Sequence, residues 1–202
     1  MSKKVLFLVN GLGLGNSTRC YAIIESLKKS NSKIYVVTSG NGEWFFRDKI
    51  EKENLFINEQ IQYGSDNQKL SVKKTLFTIP KIINTIKKNF LGLIKIINLV
   101  RPDVIVTDSV YNFSGIKKFN IPIVAINNAD LTVDYFKKLS NKPKSIYGQY
   151  YFVEQLDYLY HKTIPDIVIS PCFLEKDLKK IINSNKIKRV GPIVRMGIKK
   201  RI

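Results

Sequence analysis

Val5-Leu6-Phe7-Leu8-Val9-Asn10-Gly11-Leu12-Gly13-Leu14-Gly15-Asn16-Ser17-Thr18-Arg19 is the stretch that decides the fold. Five apolar residues in a row, without alternation, read as a strand buried on both faces. Gly11 to Gly15 read as a tight turn, and Asn16-Ser17-Thr18 can cap a helix carrying Tyr21, Ile24 and Leu27. Outward from this unit the same alternation recurs. Ile34–Val37 is a second strand closed by Thr38-Ser39-Gly40, Glu43–Glu53 a short helix, and Leu55–Ile57 a third strand. Val104–Val106 is a fourth strand ending at Thr107-Asp108-Ser109. Ile116–Phe119 belongs to a helix, and Ile121–Ile126 is a fifth strand ending at Asn127-Asn128-Ala129-Asp130. Asp166–Ile169 is a sixth strand, Phe173–Ile182 a helix, and Ile187–Val190 a last strand before Gly191-Pro192. Strands alternating with helices give an α/β, Rossmann-like parallel sheet with helices on both faces. The domain spans residues 1–194, with an insertion at about 131–163 and a basic tail at 195–202.

The chain has 202 residues, enough for one large domain or two small ones. At 44% hydrophobic and 11% aromatic it can build a core, which excludes wholesale disorder. Val5–Val9 is too short for a secretory signal and lacks a small-residue cleavage site, so none is expected, and no apolar run reaches the roughly 18 residues of a membrane span. Cys20 and Cys172 lack metal-ligand spacing, and a reducing, cytoplasmic compartment is expected. The net charge is +18, carried by 28 Lys and only 6 Arg. Few Arg, dispersed Lys and no recognition motif argue against nucleic acid as the partner.

The glycine stretch does not fit a dinucleotide fingerprint. That fingerprint places a third glycine where Asn16 stands and an acid at the end of the second strand, where Thr38-Ser39-Gly40 stand. No lysine follows in the manner of a phosphate-binding ATPase loop. A turn whose glycines only let strand and helix pack closely is the plain alternative.

The ordered set of segments resembles the N-terminal, acceptor-binding domain of GT-B glycosyltransferases, the MurG-like, family 28 group in particular. Residues 5–19 are similar to the first strand, glycine loop and helix start of that group. Val37-Thr38-Ser39-Gly40, Pro102 to Asp108, Ile121 to Asn128 and Val190-Gly191-Pro192-Ile193 follow in the same order, so the resemblance covers about residues 3–195. It implies sugar transfer, with a nucleotide sugar as cosubstrate and no further cofactor or metal. It places the acceptor, lipid-linked or glycan, in the cleft beside the glycine loop. A separate donor-binding domain or subunit is then a required partner, and the isolated chain is expected to be inactive. The chain stops about ten residues past Gly191-Pro192, where that domain begins in such enzymes. A split enzyme, a truncated gene and a decayed binding module are the three explanations. By the same resemblance the acceptor-binding residues are Gly11, Gly13, Leu14, Gly15, Arg19, Ser39, Gly40, Asn127, Asn128 and Asp130. Asn16 occupies the position of the family's histidine and cannot act as a base, since an amide has no accessible pKa. Asp108 is therefore the fallback catalytic base, with a helix cap or hydrogen-bonded turn as its plain alternative. The lone histidine, His161, reads as a surface or packing residue.

From Asn67 to Pro102 there is no acidic residue, and seven Lys with Arg101 place +8 of the charge there. Pro80 suits a first helical position with Thr78 as a capping candidate, and Ile79, Ile83, Ile86, Phe90, Ile94 and Ile97 follow helical spacing. Gly92 marks a point for a kink or break. Lys74, Lys81, Lys88 and Lys95 recur every seven residues; Lys81 to Lys95 fall opposite that stripe. An ordinary solvated helix face accounts for this. So does an anionic membrane surface, which would put the chain peripherally on the inner face of the cell membrane. The aromatic-rich 131–163 stretch suits either sugar and polyprenyl contacts or an ordinary core.

Overall fold

A computed structural model describes residues 2–61, 65–66, 69–70, 72–174, 177 and 185–195, with side chains for all of these except 65, 66, 69, 70, 72–79 and 112–114. The main sheet contains β1 (Lys4–Val9), β2 (Lys33–Thr38), β3 (Leu55–Ile57), β4 (Val104–Asp108), β5 (Ile123–Ile126), β6 (Ile167–Pro171) and β7 (Ile187–Val190). All neighbours are parallel, in the order β3-β2-β1-β4-β5-β6-β7. The chain leaves β3 at one edge and re-enters beside β1 as β4. The carboxyl ends of β1 and β4 therefore flank the topological switch point, where open α/β sheets bind ligands.

The unbroken apolar runs are explained by two-sided burial. Val5, Phe7, Val9, Val36 and Val106 pack on one face against Cys20 and Ile24 of α1 (Leu14–Lys29). Leu6, Leu8, Tyr35, Val37 and Ile105 pack on the other against Leu93, Ile97 and Val100 of α3 (Val72–Val100). Each such side chain contributes about 1.5–3 kcal/mol when fully buried, so this central layer is what fixes the strand register.

Several expectations are corrected. α1 starts at Leu14 with extended Gly13 as its N-cap, so Asn16 lies in the first turn and is not the cap. α2 is Asn41–Phe46, not Glu43–Glu53, because the chain turns after Phe46 to bury Ile50 and Asn54. Pro80 lies inside α3, which starts at Val72 and passes unbroken through Gly92. An internal proline costs about 3 kcal/mol, and here burial of the Leu93–Ile97–Val100 face outweighs it. That inward face is rotated from the expected stripe: Ile83 is exposed, while Leu93 and Val100 are core. The 131–163 stretch serves as the helical crossover that parallel β5 and β6 require. It comprises most of α4 (Ala129–Lys138), then α5 (Tyr147–Gln149), a π-helical turn (Tyr150–Glu154) and α6 (Gln155–Thr163). Most of the helix expected at 173–182 and of the tail at 195–202 lies outside the described residues, as do the side chains of Lys74, Thr78 and Ile79.

Candidate functional site at the switch point

The loop leaving β1 is held from both flanks. Asn10 Nδ2 donates to the Ser109 carbonyl at 3.0 Å, and its Oδ1 accepts from Leu12 N at 2.9 Å. Asn41 Nδ2 donates to the Leu12 carbonyl at 3.0 Å, and Asn41 N to the Gly11 carbonyl at 3.0 Å. Ser109 adopts a left-handed φ of 55°, a strained conformation for a non-glycine residue and one concentrated at functional sites. Gly11 is where this loop meets the turn after β2. A Cβ there would sit 1.5 Å from the Ser39 carbonyl oxygen, so only glycine fits. Gly15 differs, since a Cβ there meets nothing within 4 Å. Gly13 faces the same open space, and Leu14 beside it is exposed.

On the α3 face of the sheet edge, a cavity of about 290 Å³ opens beneath the loop. Leu8, Leu12, Val37, Ile86, Leu93 and Val110 make its apolar wall. Asn10, Thr38, Ser39, Asn89, Ser109 and Tyr111 supply polar groups. Of the expected acceptor residues Ser39 lines it, and Gly40, at φ +50°, forms the turn beside it. Sequence reasoning missed Glu59, the one carboxylate among the described lining residues, half-exposed and 3.1 Å from Lys88 Nζ. No pattern in the chain joins Glu59 to the glycine loop; α3 and the sheet bring them together.

Alternation along β4 sends Asp108 to the opposite, α1 face. There Arg19 grips it through two of its nitrogens: Nε donates to Oδ2 at 2.9 Å and Nη2 to Oδ1 at 2.7 Å. The Asp108 side chain is fully buried, and Arg19 is a quarter exposed. Burial alone would lower the Arg19 guanidinium, but the hydrogen bonds and charge of Asp108 carry it above its ordinary value. Cys20 Sγ sits 3.5 Å from Asp108 Oδ2, and its thiol is pushed well up by burial and then by the Asp108 charge. Both carboxylate oxygens of Asp108 are engaged in a bidentate pair with Arg19, so the structure places the expected base in an ion pair on the α1 face and not on the cavity wall. Asn16 Oδ1 stands 3.4 Å from Arg19 Nη2, at the edge of this pair.

Two further networks absorb the remaining predicted residues. Asp130 is buried in a salt bridge with Arg189, whose Nη2 lies 2.9 Å from Oδ2, and its Oδ1 accepts from Ser170 Oγ at 2.6 Å. Asp130 therefore ties α4 to β6 and β7 and is not a cleft group. Asn127 Oδ1 accepts from Ala129 N at 2.6 Å, and its Nδ2 donates to Asp157 Oδ2 at 3.1 Å; Asn128 is exposed. His161 is buried, with Nδ1 2.9 Å from both Oδ1 and the backbone carbonyl of Asp157. Its ring packs on Tyr111 and Tyr160, so it is a packing residue. The Asp157/His161 spacing of four was the signal available for this pair.

Burial would raise the Asp157 carboxyl, but His161, Asn127 and Tyr111 carry it below the ordinary carboxylate range. A folded value below the unfolded one contributes stability above about pH 4, lost as pH falls through the folded value. Denaturant titrations from about pH 5 to 2 should show the parent losing stability faster than Asp157→Asn. Parallel pH curves would show that Asp157 adds nothing.

Lys81, Lys88 and Lys95 are exposed on α3, Lys88 paired with Glu59. Among the described residues no helix is long and apolar enough to cross a membrane, and no group of three or more His, Cys, Asp or Glu could hold a metal ion.

The profile of "Glycosyl transferase family 1" matches residues 3–155. An uncharacterised glycosyltransferase of Methanosarcina mazei is 31% identical over 140 residues, covering 66% of this chain and 35% of that protein. Among solved structures, Phytolacca americana UGT2 complexed with UDP-2-fluoro-glucose and pterostilbene superposes with a TM-score of 0.62 at 11% identity, over 96% of this chain and 55% of its own. Acinetobacter baumannii MurG gives 0.51 at 14% identity, over 94% and 45%. At such identities these structures speak for the fold alone. The chain spans about a third of the curated relative and about half of each of these two structures.

Proposed function

The chain belongs to glycosyl transferase family 1, and on that premise we propose that it is the acceptor-binding half of a sugar transferase. The observation that carries this is the mostly apolar cavity of about 290 Å³ at the switch point, beside an open glycine loop. Its walls suit the apolar part of a hydroxyl-bearing acceptor, free or lipid-linked, better than a bare glycan. The acceptor hydroxyl would sit at the mouth, near Asn10, Ser39 and Ser109. The nucleotide sugar is held by a second, donor-binding domain, and this chain alone binds acceptor without turning it over. Glu59 replaces Asp108 as the group to receive the acceptor's proton. Asn16 and Arg19 present the start of α1, whose N–H groups favour the developing negative charge.

The test is transfer of labelled sugar from a set of nucleotide sugars to a membrane lipid extract, with this chain, a donor-binding domain of the family, or both. Product is expected only with both, and Glu59→Gln should lower turnover by about 10²-fold or more with little change in acceptor affinity. Full turnover by Glu59→Gln would remove it as the base. Product from the donor domain alone would remove the acceptor role. The commitment of Asp108 to Arg19 also supports a second reading, a non-catalytic binding module of the same fold, for which acceptor binding without transfer in any combination is the expected result.

A further inference from the structure

Resting on the reading of Glu59 as the group that receives the acceptor's proton, we infer that Asn89 of α3 is the residue that positions it. β3 is the edge strand of the main sheet. Along such a strand successive residues turn their backbone groups alternately toward the neighbouring strand and away from it. Asn58 N donates to the Thr38 carbonyl at 2.7 Å, so Asn58 still faces β2. Glu59, the next residue, faces outward, where none of the described strands lies beside it. Both of its backbone groups are nonetheless bonded. Glu59 N donates to Asn89 Oδ1 at 3.0 Å, and Asn89 Nδ2 donates to the Glu59 carbonyl at 2.8 Å. The Asn89 carboxamide stands where the peptide group of a further strand would. Only Asn and Gln carry a side-chain donor and acceptor in that arrangement.

This role accounts for the place of Asn89 in the helix. It follows Ile86 by three residues and precedes Leu93 by four, on the face that lines the cavity. Asn is a weaker helix former than Leu, and an apolar side chain there would continue the wall. Lys88, one residue earlier, reaches the carboxylate instead: its Nζ lies 3.1 Å from Glu59 Oε1. Both side chains of that pair are more than half exposed, and such a pair fixes little. The two bonds from Asn89 hold the backbone, and so set where the Glu59 side chain leaves it at the cavity wall. A displacement of about 1 Å in a reacting group can cost about 10²-fold in rate. With both ends of its carboxamide engaged, Asn89 acts through Glu59 and not as a contact for the acceptor.

Two measurements test this on Asn89→Leu and Asn89→Gln. The first is amide hydrogen exchange at Glu59 in the 202-residue chain alone. Asn89→Leu is expected to speed that exchange by about tenfold or more, with the amides of β1 unchanged. The second is the transfer assay with the donor-binding domain. There Asn89→Leu should lower kcat by about tenfold or more and leave the acceptor KM near the parent's. Asn89→Gln keeps the carboxamide and should fall between Asn89→Leu and the parent in both measurements. Adding Asn89→Leu to Glu59→Gln should lower kcat no further, since the group it positions is already gone. A parent-like exchange rate or kcat for Asn89→Leu, no recovery in Asn89→Gln, or a further loss in the double variant would overturn the inference. Glu59→Gln alone reports on the underlying reading: full turnover removes the base assignment, whereas its loss beside a parent-like Asn89→Leu removes only the positioning role.

Discussion

Gly11→Ala is expected to destabilise the protein by about 3 kcal/mol or more, an apparent Tm loss of about 6–12 °C for a chain this size. The added Cβ would lie 1.5 Å from the Ser39 carbonyl oxygen and 3.1 Å from Gly42 N, both rigid backbone atoms. The loop after β1 and the turn after β2 would have to separate, and the cavity between them would open. Gly15→Ala should do the reverse. Its Cβ meets no atom within 4 Å, and alanine gains up to about 1 kcal/mol over glycine within a helix. If the acceptor approaches the start of α1 closely, Gly15→Ala lowers acceptor affinity in a protein at least as stable as the parent. Thermal melts and acceptor titration of the two variants separate a glycine kept for folding from one kept for access. Equal stability of Gly11→Ala and the parent would refute the packing argument.

Arg19→Met is expected to cost about 3 kcal/mol, because it leaves the fully buried Asp108 carboxylate without its partner. Arg19→Met combined with Asp108→Val should recover most of that loss, since the pair's desolvation is removed with its attraction and Asp108 faces the apolar α1 layer. Asp108→Asn carries the diagnostic weight. An anchor loses stability and, through a displaced Arg19, acceptor affinity. A base loses turnover in a protein of unchanged stability. Denaturant midpoints for the single and double variants form the cycle, and strict additivity would show that the two residues do not act as a pair.

The contrast between legible and illegible parts has a physical cause. All seven strands lie within two residues of where the apolar runs place them, because a strand buried on both faces needs only local hydrophobicity to announce itself. Helix boundaries were weaker. Pro80 looks like a start, yet burial of a face some thirteen to twenty residues further on holds α3 together across it. The candidate site was half legible. Asp108 at a strand end and the glycine turn both lie at the carboxyl edge of the sheet, as their place after apolar runs implies. What Asp108 does depends on Arg19, 89 positions away, and Asp130 depends on Arg189, 59 positions away. A carboxylate read alone looks like a base, whereas the guanidinium that pairs with it is brought by the fold. Glu59 was invisible for the same reason in reverse, since its relevance comes from a cavity wall that only α3 completes.

We propose that the cavity under the glycine loop seats the acceptor. Ile86 lines it from α3 and is itself more than a third exposed, so Ile86→Trp fills the space without breaking the core. The deciding measurement is acceptor concentration dependence in the reconstituted transfer assay, parent against Ile86→Trp. A rise of about tenfold or more in acceptor KM, with the donor KM unchanged, is the predicted result. An acceptor KM equal to the parent's would contradict it, and the acceptor would have to sit elsewhere.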